Sequence, residues 1–352
     1  MTKKIEKAAN VKYNNKIEKK EERNLADQLQ EIPYKREKGS VLQMGAVLEK
    51  DSVNFALEIK EDEKASLLIY KKGQKEPEAE IPQEEAEQIG NIVAWRLKKF
   101  PYKRLEYNYK IGEKVKQDPY ASLIRGRKKY GTITKEHDVR CAVLWEEYDW
   151  GGDAPLMIPY ADVISYHLHV RGFTKDPSSD VSRKARGTFL GIQEKIPYLK
   201  ELGINQIKVM PIYDFDELPP KEKTKEQKTY QKAEQEEERK LNFWGYEKGN
   251  YFALKESYAA SSDPVKEWKD TVKLLHQNGI EVILEFYFPK EIHASMVMDC
   301  LKYWVTQYHI DGFHLMGNQN IFNLIAREPA FSHTKLYSCY FPADELYEKK
   351  EY

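Results

Sequence analysis

Cysteine is scarce, with only Cys141, Cys300 and Cys339 in 352 residues. Three scattered thiols make neither a disulfide framework nor a CxxC metal site, and a reducing compartment is expected. An excess of charge is also missing: Lys plus Arg and Asp plus Glu are 57 each. No net field therefore draws the chain to nucleic acid or to an anionic membrane surface. No apolar run approaches the length of a membrane span, and the opening "MTKKIEKAANVKYNNKIEKK" has no apolar core of a signal peptide. A cytoplasmic protein without nucleic-acid or membrane partners is expected. Walker, GxGxxG, HExxH and Ser-His-Asp patterns are absent as well, so neither a cofactor nor a metal is expected.

What is present suits packed cores: 41% of residues are hydrophobic and 12% aromatic, over a length sufficient for two domains. Residues 1–38 are rich in Lys, Glu, Asn and Gln and predict a solvated, mobile arm. From there to about residue 125 short alternating segments such as "VNFALEIK", "ASLLIYKK", "NIVAWRLKK" and "RLEYNYKIG" are separated by turn residues, the pattern of an antiparallel β-sandwich. Residues 126–160 are expected to be a linker. Beyond it strands alternate with helices: "VISYHLHV", "GIQEKIPYLKELG", "NQIKVMPIY", "DPVKEWKDTVKLLHQNG", "IEVILEFYF", "IHASMVMDCLKYWVTQYH", "IDGFHLMG" and "TKLYSCYF". That alternation predicts β/α units on a parallel sheet over 161–352. The charged, low-complexity run "LPPKEKTKEQKTYQKAEQEEERKLN" is expected to be an exposed loop insertion.

The stretches "WEEYDWGGDAPLMIPYADVISYHLHVRGFT" and "RGTFLGIQEKIPYLKELGINQIKVMPIYDF", continued by "NFWGYEKGNYFALKESYA" and "VKEWKDTVKLLHQNGIEVILEFYF", resemble the α-amylase superfamily. The branch is that of isoamylase, pullulanase and glycogen-debranching enzymes. "MGAVLEKDSVNFALEI" and "YNYKIGEKVKQDPYA" are similar to the glucan-binding sandwich that precedes those barrels. The resemblance implies a multidomain protein, an immunoglobulin-like β-sandwich followed by a (β/α)₈ TIM-type barrel with its site at the C-terminal strand ends. Five strands are expected here, Val163–Val170, Gln206–Pro211, Val282–Phe288, Gly312–Met316 and Lys335–Tyr340, where a barrel has eight. An incomplete barrel leaves an open edge and an uncovered face. Either the chain is part of a longer protein or a partner chain covers the gap.

Retaining glycoside hydrolysis needs two carboxyl groups about 5 Å apart, one a nucleophile and one an acid. The family's fourth strand carries Gly-Phe-Arg-x-Asp, with Asp the nucleophile, and the matching residues are Gly312, Phe313, His314, Leu315 and Met316. Its fifth strand ends on the acid Glu, matched by Cys339 in "HTKLYSC", and its third acid falls beyond Tyr352. A thiol is a poor proton donor to a sugar oxygen without an arranged base. The third strand's Asp-x-x-x-Asn-His becomes Glu285, Phe286, Tyr287, Phe288, Pro289 and Lys290. Tyr246 in "FWGY" matches the tyrosine on which the sugar stacks, and it and Trp244 either bind glucan or pack their loop.

The glucan-binding candidates are accordingly Trp244, Tyr246, Glu285 and His314. Other residues bear weighing. His167 and His169 alternate on a predicted strand, a spacing compatible with a metal or with an ordinary strand end. Asp214, Asp216 and Glu217 are expected to be solvated loop acids. Trp95, Tyr107 and Tyr109 either stack on glucan or form sandwich core. The expected function is an α-glucan-linked homologue that acts by binding glycogen- or starch-like glucan or a partner, with its catalytic positions degenerate. The alternatives are a working α-1,6 debranching hydrolase using Glu285 or Asp311, and a truncated or split barrel without independent activity.

Overall fold

The computed structural model describes residues 34–135, 138–145, 147–219, 239–318 and 321–338. Most of the expected arm, most of the charged insertion and Cys339 lie outside them. Two antiparallel sheets come first. One runs in the order Lys35–Lys38, Ile92–Lys98, Ser52–Glu58 and Gly45–Leu48, with Glu87–Ile89 also on Ile92–Lys98. The other runs Leu123–Arg125, Arg140–Ala142, Leu105–Ile111, Ala65–Lys71 and Ala79–Pro82, with Lys114–Lys116 on Leu105–Ile111. Two of these strands fall where the sequence suggested an arm and a linker. Lys35–Lys38 is charged but pairs in register with Trp95–Lys98. Arg140–Ala142 pairs with Leu123–Arg125 and places Cys141 opposite Tyr107.

Alternation along the strands fills the sandwich core. Trp95, Tyr107 and Tyr109 are 1%, 0% and 0% exposed, which decides between core and glucan platform in favour of core. Trp95 stacks on Tyr109 with centroids 5.9 Å apart, and Phe55 meets Tyr107 edge-on at 5.0 Å.

A five-stranded sheet follows, all parallel and in sequence order: Ser165–Leu168, Gln206–Val209, Glu281–Phe288, Gly312–Gly317 and Lys335–Ser338. The first strand ends earlier than expected because His169 caps a short helix, Val170–Thr174, by accepting from Gly172 N. The helix expected over "GIQEKIPYLKELG" is two, Phe189–Glu194 and Ile196–Glu201, broken at Lys195. Pro197 has no amide hydrogen to continue the first. Helix Pro264–Gln277 starts as its sequence predicts, with Asp263 accepting from Lys266 N. Helix Ala294–Tyr308 ends on His309 in the left-handed region, φ 52°. A two-stranded ribbon, Tyr213–Asp214 with Asn250–Leu254, lies beside the parallel sheet and was not anticipated. Among the described residues no helix is long and apolar enough to cross a membrane.

The parallel sheet is two-faced. Leu168, Ile207, Val209, Val282, Leu284, Phe286, Phe288, Phe313 and Leu315 turn to the helices and join one apolar core with Phe189, Trp268 and Trp304. Because side chains alternate, the opposite face carries His167, Gln206, Lys208, Glu281, Glu285, His314, Met316, Lys335 and Tyr337. At the N-terminal end of that face Glu281 pairs with Lys335, and its other contacts come from Gln206 Nε2 at 2.9 Å and Ile158 N at 2.9 Å.

A second buried polar chain fixes helix Pro264–Gln277 against the start of the fourth strand. His276 Nε2 lies 2.8 Å from Asp311 Oδ2 and its Nδ1 2.9 Å from Asp153 Oδ1. Asp153 Oδ2 reaches His309 Nδ1 at 2.6 Å, and the His309 ring stacks on Trp150 at 3.9 Å. Burial pulls the His276 imidazole's pKa down, but the flanking carboxylates of Asp311 and Asp153 outweigh it and raise the pKa above 6.5. A raised pKa contributes stability fully present below 6.5 and lost as pH climbs through the raised value. His276→Gln is expected to cost about 1–3 kcal/mol at neutral pH, because Asp311 and Asp153 each lose one charge-assisted hydrogen bond while Val282 N and His309 still hold them. Urea titrations between pH 6 and 9 check it: wild type should lose stability across that range and the variant should not, and parallel curves would refute the linkage.

Candidate functional site at the strand ends

The polar face of the sheet converges at its C-terminal end on Glu285. Strand register places Glu285 directly beside His314, and His314 Nδ1 lies 2.6 Å from Glu285 Oε1. His167 reaches over from the first strand, Nε2 to the same oxygen at 3.1 Å. Tyr246 donates its hydroxyl to the other oxygen, Oε2, at 2.5 Å. Glu285 is 1% exposed. Burial alone pushes its carboxyl pKa up, but the hydrogen bonds from His314 and Tyr246 and the charges of His167 and His314 hold it below the ordinary value. The same contact raises the Tyr246 phenol, after burial the largest cause.

The loop carrying Tyr246 is rigid for local reasons. Asn242 Oδ1 accepts from Gly245 N at 3.0 Å, and the Tyr213 hydroxyl lies 2.9 Å and 3.0 Å from the carbonyls of Gly245 and Glu247. Gly245 adopts φ +77°, and a Cβ there would fall 2.4 Å from the Phe215 ring, so only glycine fits. Phe243 O lies 2.9 Å from His169 Nε2, and the two rings stack at 4.2 Å. Trp244, 51% exposed, sits edge-on to Phe243 at 5.1 Å.

The structure thus brings Tyr246, Glu285 and His314 together and leaves Trp244 on the rim, partnered with Phe243 and His169. Met316 lies on the same face as His314, opposite Tyr287. The two histidines of the first strand separate: His167 joins Glu285, whereas His169 is buried as a helix cap beside the Tyr258 hydroxyl at 3.0 Å. Burial, with Arg171 and Lys255 nearby, lowers the His169 pKa to about 4 despite the Phe243 carbonyl, so it is neutral at pH 7. A shared metal at these two residues is therefore not what the strand builds. Asp214 and Glu217 correct the expectation of solvated acids. Asp214 is 1% exposed and paired with Arg127 and Asn250, and Glu217 is 6% exposed on Lys255 Nζ at 3.0 Å and Ser257 Oγ at 2.8 Å. Asp311, named as an alternative catalytic acid, starts the fourth strand and binds Val282 N at 2.8 Å and His276. It stands at the opposite end of the sheet from His314 and Met316.

Residues 169–295 match the family "Alpha amylase, catalytic domain". In sequence the chain is similar to isoamylases and glycogen debranching enzymes. It is 27% identical to Isoamylase 3, chloroplastic, of Oryza sativa subsp. japonica over 83% of this chain and 46% of that protein. It is 31% identical to Isoamylase 1, chloroplastic, of Arabidopsis thaliana over 59% of this chain and 32% of that one. The solved catalytic module of the multi-modular glycogen-degrading pneumococcal virulence factor SpuA shares its fold, with TM-score 0.65 and 20% identity over 84% of this chain and 50% of that chain. The chain spans less than half the length of these two curated relatives.

Against the family motif, this isoamylase relative makes two coupled changes. The third-strand position has a carboxylate one methylene longer, Glu285, and the fourth-strand position a shorter side chain, His314. The two side chains meet at 2.6 Å. Exchanging the lengths, Glu285→Asp with His314→Arg, should therefore cost less than the two single changes summed, with a coupling of about 0.5–3 kcal/mol. Additive losses in a double-mutant cycle would refute the pairing.

Proposed function

We propose that this chain is an α-glucan-binding member of the debranching branch that does not hydrolyse its ligand, on a five-stranded sheet following the barrel plan. The observation that carries the reading is the engagement of Glu285. Both of its oxygens are occupied by protein donors, and Met316 stands where the family's nucleophile would. Retaining hydrolysis needs a carboxylate nucleophile with a second carboxyl about 5 Å away. Asp214 and Glu217 near that end are held in buried ion pairs. What remains is the half-buried ring of Tyr246 and the exposed ring of Trp244, suited to a sugar's apolar face. Cys339, at the family's acid position, supplies a thiol in place of a carboxyl.

A partner chain over the sheet would add little to its polar face, where Gln206, Glu281 and Glu285 are already 1% exposed. The face such a partner would meet is polar, and Glu281, Lys335, Gln206 and Tyr337 already bond one another there.

Purified protein should release no reducing ends from glycogen above a heat-killed control while sedimenting with it, and Tyr246→Ala should weaken that sedimentation several-fold. Reducing ends that disappear in Glu285→Gln would instead establish a working debranching hydrolase.

A further inference from the structure

We infer that the groove around Trp145, between the β-sandwich and helix Pro264–Gln277, is a second oligosaccharide-binding site, separate from the strand ends. This deepens the α-glucan reading and rests on it for the ligand class. Two cavities of about 580 and 730 Å³ meet there and share Trp145, Glu147 and Tyr148 as lining, each of a size that holds small ligands.

The aromatic rings are fixed in advance. Trp145 is 38% exposed, with Lys103 Nζ 3.6 Å from its ring centroid and Tyr102 at 6.4 Å. Tyr148 donates to Asp270 Oδ1 at 2.8 Å and packs edge-on against Trp150 at 4.8 Å. An exposed tryptophan already held in place offers a flat apolar surface at little entropic cost on binding.

Charge selects the class of ligand. The smaller cavity is lined by three lysines, 266, 269 and 273, and by three acids, Glu147, Asp149 and Asp270. The cations are already engaged: Lys266 binds Asp270 at 2.6 Å, Lys273 the Asp149 carbonyl at 2.9 Å, and Lys269 Nζ lies 5.5 Å from the Tyr148 ring centroid. With Lys103 on the Trp145 ring the groove has one cation in excess, too little to draw a phosphate or nucleotide, and a cationic ligand finds no net negative field. A neutral ligand with apolar faces and many hydroxyls matches both the rings and the mixed donors and acceptors.

Calorimetry with maltohexaose on the full chain tests the assignment by stoichiometry. Wild type should bind two molecules per chain, Trp145→Ala one and Tyr246→Ala one, with Trp145→Phe retaining part of the groove affinity. Thermal melts establish that each variant is folded. A Trp145→Ala protein that keeps the wild-type stoichiometry overturns the groove. One wild-type site abolished by Tyr246→Ala does the same and leaves the strand-end reading intact. One site abolished by Trp145→Ala supports the groove and removes the strand-end reading, and no binding at all rejects both.

Discussion

A carboxylate removed from water must be met by donors, and Glu285 meets three. At 1% exposure its charge would be prohibitively costly alone. The histidines of the first and fourth strands and the tyrosine of the "FWGY" loop converge on it because strand pairing and a tight glycine turn carry them there. The rest of the strand end is arranged around that requirement. Tyr246 is held by its hydroxyl, leaving the ring's orientation set. His314 is held beside Glu285 by register and by charge. The same contacts that make the carboxylate stable as an anion also fix both of its oxygens in place.

The sheet that bears this group is divided by alternation alone. Its helix side is made of Leu, Ile, Val and Phe, while its other side carries acids, lysines, histidines and a tyrosine that bond one another. A barrel interior dominated by bulky branched side chains gains from being enclosed. The face here differs, since Gln206, Glu281 and Glu285 are 1% exposed and are met by protein partners.

Much of this was legible in the sequence, and the parts that were not share a cause. Periodicity and caps located the helix from Pro264 and the third and fourth strands closely, since Asp263, Asn278 and Gly279 act locally. Order of motifs located Glu285, His314 and Tyr246. What the sequence did not disclose were pairings between distant residues. Asp214 looked like a loop acid because Arg127, its buried partner, lies 87 residues away. His167 and His169 looked equivalent by spacing until a helix began at Val170 and turned one of them into a cap. Lys35–Lys38 and Arg140–Ala142 are too short and too charged to announce themselves, and they are strands because a neighbour offers a ladder.

The two ends of the fourth strand show how one short segment serves both packing and binding. Asp311 and His314 are three residues apart, on opposite sides of a glycine whose missing Cβ admits the backbone of Lys335 to within 2.3 Å of where it would stand. That close approach draws the fifth strand onto the fourth. It also separates the two polar residues into different networks, Asp311 with His276 and Asp153, and His314 with Glu285. The first network is closed on itself and anchors a helix and the segment leading from the sandwich. The second opens toward Tyr246 and the exposed Trp244, and is the one whose hydrogen bonds a polyhydroxyl ligand can extend.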